Sequence, residues 1–88
     1  MLIEFDSDKD AINSAKHGMS LANAARFEWD SAVIWMDLRE DYGEDRMREL
    51  GYIGARLCHM VFVERGDACR VISLRLATRT ESKRYAEI

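Results

Sequence analysis

Arginines at positions 70, 75 and 79, followed by Lys83 and Arg84, place a cation every four or five residues along the last quarter of the chain. Guanidinium forks hold phosphate oxygens in two-point geometry and stay charged at any physiological pH, so this spacing suits a polyanion. Ser73, Glu81 and Tyr85 add polar or titratable groups to the same stretch. The run Arg70 to Leu76 reads as a strand, on which Ser73 and Arg75, two residues apart, share a face. Thr78 with Glu81 three residues on forms a capping box, so a last helix should begin there and carry Lys83, Arg84 and Tyr85. Arg79 then sits at that helix's N-terminus, itself a favourable place for an anion. The competing reading is that the arginines pair with Asp or Glu and tie helix to sheet. Tyr85 likewise either meets a base or phosphate or packs its ring on the sheet.

The elements that must position these groups follow from the apolar pattern. Leu2 to Phe5 alternates as a short first strand, after which Asp6 or Asp8 caps a helix with Ala11, Ile12 and Ala15 at helical spacing. Gly18 ends it, because a left-handed residue after the last turn favours glycine. Ser20 caps a second helix with Leu21, Ala24, Ala25 and Phe27 on one side. Val33 to Met36 is a β-rich apolar run, and the charged stretch Asp37 to Asp45 reads as a surface loop. Met47–Ile53 and Leu57–Val63 form a hairpin around Gly54, and Arg65-Gly66-Asp67 turns the chain into a strand over Cys69–Leu76. The order β-α-α-β-β-β-β-α is an α+β plan, a twisted antiparallel sheet with helices against one face.

At 88 residues without proline, repeat or linker, the chain reads as one domain spanning 1–88, small enough to gain from burial against a partner. No apolar run approaches the roughly 20 residues of a spanning helix. The first residues lack the basic start and apolar stretch of a secretory signal, so the expected compartment is the cytoplasm. Free thiols at Cys58 and Cys69 suit that compartment. A zinc site from Cys58, His59, Cys69 and His17 has no ligand spacing behind it, and neither metal nor other cofactor is expected. The net charge of −3 divides unevenly: residues 1 to 64 hold 7 Lys or Arg against 13 Asp or Glu, and residues 65 to 88 hold 6 against 3. An acidic front and a basic end suit a cationic partner on one surface and an anionic ligand on another.

Four segments, in order and spacing, resemble the BrnT family of type II toxin–antitoxin toxins: Phe5-Asp6 with Lys9 and Asn13; Lys16-His17-Gly18 followed by Ser20; Asp37-x-Arg39 through Gly43-Glu44-x-Arg46; and Ile72-Ser73-x-Arg75-x-Ala77-Thr78 with Glu81 and Tyr85. Ser7 stands where the family often has proline, and Leu74 where a small residue is usual. Leu74 should face away from Ser73 and Arg75 and so touch packing rather than chemistry. The resemblance implies a RelE-like fold, RNA cleavage that arrests translation, and neutralisation by a cognate antitoxin, usually a ribbon-helix-helix protein that also binds operator DNA. A homodimer within that complex and no membrane contact complete the expected partners.

Metal-independent RNA cleavage needs a base for the 2′-hydroxyl, an acid for the leaving 5′-oxygen and cations for the phosphorane. The expected catalytic residues are His17, Glu44, Arg75 and Arg79, with the two arginines as phosphate clamps. Lys16, Arg46, Arg70, Ser73, Lys83 and Tyr85 are expected to bind substrate. His17 also suits a helix C-terminus, where an imidazolium meets free carbonyls, and Glu44 with Arg46 suits a plain exposed ion pair. His59 alternates with Leu57 and Val61 and reads as a core histidine with its hydrogen bonds satisfied. Trp29 and Trp35 read as core or interface anchors. Val33 to Met36, beside the acidic loop, suits a contact for a cationic antitoxin segment, although an internal strand would read the same. The alternative function is a non-catalytic interaction module acting within a DNA-binding autorepressor complex.

Overall fold

The computed structural model describes residues 2–88. Strand β1 (Leu2–Glu4) leads to helix α1 (Ser7–His17) and a 3₁₀ helix (Leu21–Arg26); strands β2 (Val33–Met36), β3 (Met47–Ile53), β4 (Arg56–Arg65) and β5 (Ala68–Leu76) follow, and helix α2 (Arg79–Ala86) closes the chain. Five strands make one sheet in the order β1-β5-β4-β3-β2. No helix of the described residues is long and apolar enough to cross a membrane.

The ends of the helices follow local chemistry. The Asp6 carboxylate accepts from the amides of Asp8 and Lys9, and Gly18 takes the left-handed conformation at φ 68° while donating to the Ser14 carbonyl. Ser20 caps the next element, which is a 3₁₀ helix where an α-helix was expected. Its buried residues are Leu21 and Ala24, followed by Phe27. Spacing by three fits three residues per turn, and it leaves Ala25, expected on the same side, exposed. These three side chains cover one sheet face, where they form the core with Cys58, Met60, Phe62, Cys69, Val71 and Leu74. Phe27 packs so closely on Gly51 that a Cβ there would lie 2.4 Å from its ring. Both cysteines are free and buried, and burial raises both thiol pKa values, Cys69 to about 12.

Three expectations about the layers change. The sheet is mixed rather than wholly antiparallel, because β1 returns beside the last strand and pairs with it in parallel, Leu2 against Ala68. Helix α1 does not bury an apolar stripe: Ala11, Ile12 and Ala15 are exposed, and the buried residue is Asn13. β1 is too short to cover the edge of β5 beyond Arg70, and there the Asn13 side chain takes the place of a strand. Its Nδ2 donates to the Leu74 carbonyl at 2.8 Å and its Oδ1 accepts from the Leu74 amide at 3.2 Å. Finally, the helices do not share a face. Tyr85 of α2 meets Tyr52 edge-on at 5.6 Å, and Tyr52 alternates with Gly51, so α2 lies on the face opposite the 3₁₀ helix.

Candidate active site

The face beneath α2 gathers side chains from four strands. Register sets Trp35 of β2 beside Arg48 of β3, Leu50 beside His59 of β4, and His59 beside Arg75 of β5. From above, Glu81 reaches down out of the first turn of α2. It receives both arms of the Arg75 guanidinium, Nη1 to Oε1 at 2.7 Å and Nη2 to Oε2 at 2.9 Å. The same carboxylate completes the capping box with Thr78, accepting from the Thr78 amide while the Thr78 hydroxyl accepts from the Glu81 amide. Helix start and arginine fork are therefore fixed by one side chain. Arg48 Nη2 and His59 Nε2 lie 3.8 and 4.0 Å from Glu81 Oε2.

His59 is buried as expected, but its hydrogen bonds are not satisfied. Its Nε2 accepts from Arg48 Nε at 3.1 Å, which assigns the ring proton to Nδ1, and Nδ1 is buried without a partner. Burial, reinforced by the charges of Arg75 and Arg48, lowers its pKa to about 4. Glu81 shifts the same way for a different reason: the Arg75 fork holds its carboxyl down at about 2. At neutral pH the centre is thus a neutral imidazole and an ionised carboxylate between two guanidiniums. Trp35 closes one side, edge-on to His59 at 6.3 Å and with Arg48 over its ring at 5.2 Å. Trp29 lies on the other sheet face, against Phe27 and Phe62.

The residues expected from sequence do not all gather in one place. Arg75 is in the centre, and Ser73 shares its face opposite Val61. Arg79 and Lys83 stand exposed on α2. Tyr85 donates its hydroxyl to the Ser31 carbonyl at 2.8 Å and docks α2 on the sheet. Lys16 and His17 line a groove between α1 and β5 with Lys9, Ile12, Asn13, Ile72 and Ser73. The His17 pKa is lowered by burial and by the nearby charges of Lys16 and Arg75.

Glu44 and Arg46 lie apart from both the Arg75 centre and the α1 groove. Glu44 pairs with Arg46 at 3.1 Å and with Arg65 at 3.6 Å, and Arg46 stacks over Tyr42 at 4.2 Å. The loop they close is anchored by Asp37, a buried residue in what reads from sequence as an all-surface stretch. Asp37 holds Arg39 through two contacts, at 2.8 and 2.7 Å, and this fork drives its pKa far below the usual range. Arg70 lies 3.9 Å from Glu4 of β1. Sequence reasoning missed Arg48, which nothing in its local pattern distinguishes. The roles of His59 and Trp35 were hidden by their positions in apolar runs.

Comparison with known proteins agrees with this architecture. The family model described as the ribonuclease toxin BrnT of type II toxin–antitoxin systems matches residues 5–81. The chain is similar to the Brucella abortus ribonuclease toxin BrnT, known from a crystal structure at 1.1 Å. The TM-score is 0.71 and the identity 29%, over 90% of this chain and 99% of that one. No curated protein sequence matches. The family match runs from Phe5 to Glu81 and so spans α1, all of β2 to β5 and the carboxylate that holds Arg75. The chain belongs to the BrnT family of ribonuclease toxins of type II toxin–antitoxin systems.

Proposed function

We propose that this chain, acting as one unit over residues 1–88 of a RelE-like fold, is a metal-independent endoribonuclease that works in the cytoplasm and arrests translation. The observation that carries the reading is the cluster Arg48, His59, Arg75 and Glu81, charged, partly enclosed and built from three strands and a helix. Arg75 and Arg79 take the non-bridging oxygens of the scissile phosphate and stabilise the phosphorane, the task a bound cation performs elsewhere. Arrival of the phosphate competes for the Arg75 fork. Glu81, relieved of its counter-charge, becomes a stronger base and accepts the 2′-hydroxyl proton, a role the sequence suggests for Glu44. The 2′-oxygen bonds to phosphorus as the 5′ P–O bond breaks, leaving a 2′,3′-cyclic phosphate and a 5′-oxygen that takes its proton from water. His59 is a positioning residue that orients Arg48.

Its antitoxin is expected to be a ribbon-helix-helix protein that carries the complex to operator DNA, with a toxin homodimer within the assembly. Edge strand β2 exposes Ile34 and Met36 next to the acidic loop, which supports docking of a cationic antitoxin segment there. One observation favours the second reading, a non-catalytic module: the Arg75 fork is already occupied by Glu81. Cleavage of a labelled RNA separates the two. A toxin cuts it and folded Arg75→Ala protein does not, whereas a module binds its partner and leaves RNA intact.

A further inference from the structure

The cations of this protein fall into two populations. Arginines 39, 46, 48, 65, 70 and 75 each lie within 4 Å of a carboxylate. Among the described residues, Lys9 and Lys16 of α1, Arg79, Lys83 and Arg84 of α2, and Arg26 and Arg56 elsewhere have no such partner. Those of α1 and α2 stand on both sides of the Arg75 centre. On the α1 side they line a groove of about 230 Å³ that no carboxylate enters. Lys9, Ile12, Asn13 and Lys16 are spaced to share one helix face, and Asn13 clamps that face to the edge of β5 at Leu74. The two lysines stand roughly 10 Å apart along the axis. The groove floor is Ile72 and Ser73. Val61 pairs with Ser73 and Phe62 with Val71, so Ile72 is the extra residue of a β-bulge, and Ser73 continues directly to Arg75 on the same face. Ile12, 66% exposed, gives the groove an apolar wall.

We propose that this groove is a second phosphate subsite, in which Lys9, Lys16 and His17 hold the phosphodiester next to the one cut at Arg75. The inference rests on the reading of Arg75 as the cleavage centre. It gives His17 a binding role in place of proton transfer. RNA would cross the end of β5 from Arg79 to the groove, with Ile12 against a ribose or base. Two lysines with no carboxylate within 4 Å are available to a phosphate without first breaking an ion pair, unlike the sheet arginines.

The test uses a dinucleotide and a longer single-stranded oligonucleotide with the intact chain and its Lys9→Gln/Lys16→Gln variant. Removing two phosphate contacts should reduce the slope of log K against log salt for the longer RNA by about 1.4. It should also lower kcat/KM for the longer RNA on the order of tenfold more than for the dinucleotide. His17→Gln should show the same dependence on length. An unchanged salt slope would overturn the subsite, as would a His17→Gln loss in kcat equal for both RNAs, which would return the imidazole to proton transfer. Because the slope is read from binding, it decides the subsite independently of Arg75→Ala cleavage, whose persistence would instead sink the reading beneath it.

Discussion

Arg75 and Glu81 hold each other in a two-point pair, both largely but not wholly enclosed, with side-chain exposures of 24% and 15%. An arginine serving only to tie helix to sheet would look similar, so substitution has to separate the roles. Arg75→Ala should cut kcat/KM on RNA on the order of 10²- to 10³-fold, as loss of a phosphorane-stabilising cation does. Glu81→Gln is the sharper variant, because glutamine retains the capping box while losing the charge and the proton acceptor. Its far-UV circular dichroism should match the parent and its cleavage should be lost; normal cleavage would remove Glu81 from the chemistry. Only part of this centre was legible in sequence. Arg75 stands out because strand alternation fixes its face, and the Thr78–Glu81 spacing announces the cap. His59 was hidden because burial is visible in an apolar run, whereas the missing partner at Nδ1 depends on which strands lie beside it.

At the scale of elements, two contacts of unlike kind hold the centre in place. Asn13 completes the edge of β5 beside Ser73 and Arg75, so Asn13→Ala should leave the Leu74 amide and carbonyl unpaired and cost about 1–3 kcal/mol in denaturant unfolding. Gly51→Ala places a methyl against the Phe27 ring on the opposite face and should cost about 1–3 kcal/mol by overpacking. A midpoint unmoved by either change would show that the contact concerned does not stabilise the fold. Helix caps and turns were readable because Asp6, Gly18, Ser20 and the Gly54 turn act over a few residues. The parallel pairing of β1 was not, because it joins residues 2–4 to residues 68–70 and no local pattern records that choice. The polar docking of α1 was equally hidden. Its apolar residues mark helical spacing, yet the sheet edge needed an amide.

For the molecule as a whole, two buried titratable groups set opposite limits on stability. Glu49 lies on the 3₁₀-helix side of β3, fully buried with neither carboxyl oxygen partnered, and burial pushes its pKa up to about 8. The folded state keeps that proton where the unfolded chain, with an ordinary value of 4.5, releases it, so stability falls as pH rises from 4.5 to 8. His59 acts in reverse. Its folded value near 4 lies below the ordinary 6.5, so stability falls as pH drops from 6.5 to 4. The two slopes oppose each other between 4.5 and 6.5, and above 6.5 the Glu49 slope is no longer offset by His59. Unfolding free energy should therefore decline from pH 6.5 to 8, and Glu49→Gln should flatten that decline. A decline equally steep in the variant would show that another group carries it.

Whether Arg75 forms the active centre is decided by cleavage of a labelled single-stranded RNA by the purified protein in EDTA, beside folded Arg75→Ala protein. The parent should cut, leaving a 2′,3′-cyclic phosphate product, and the variant should cut little or not at all. Equal cutting by both would contradict the placement of the active centre at Arg75.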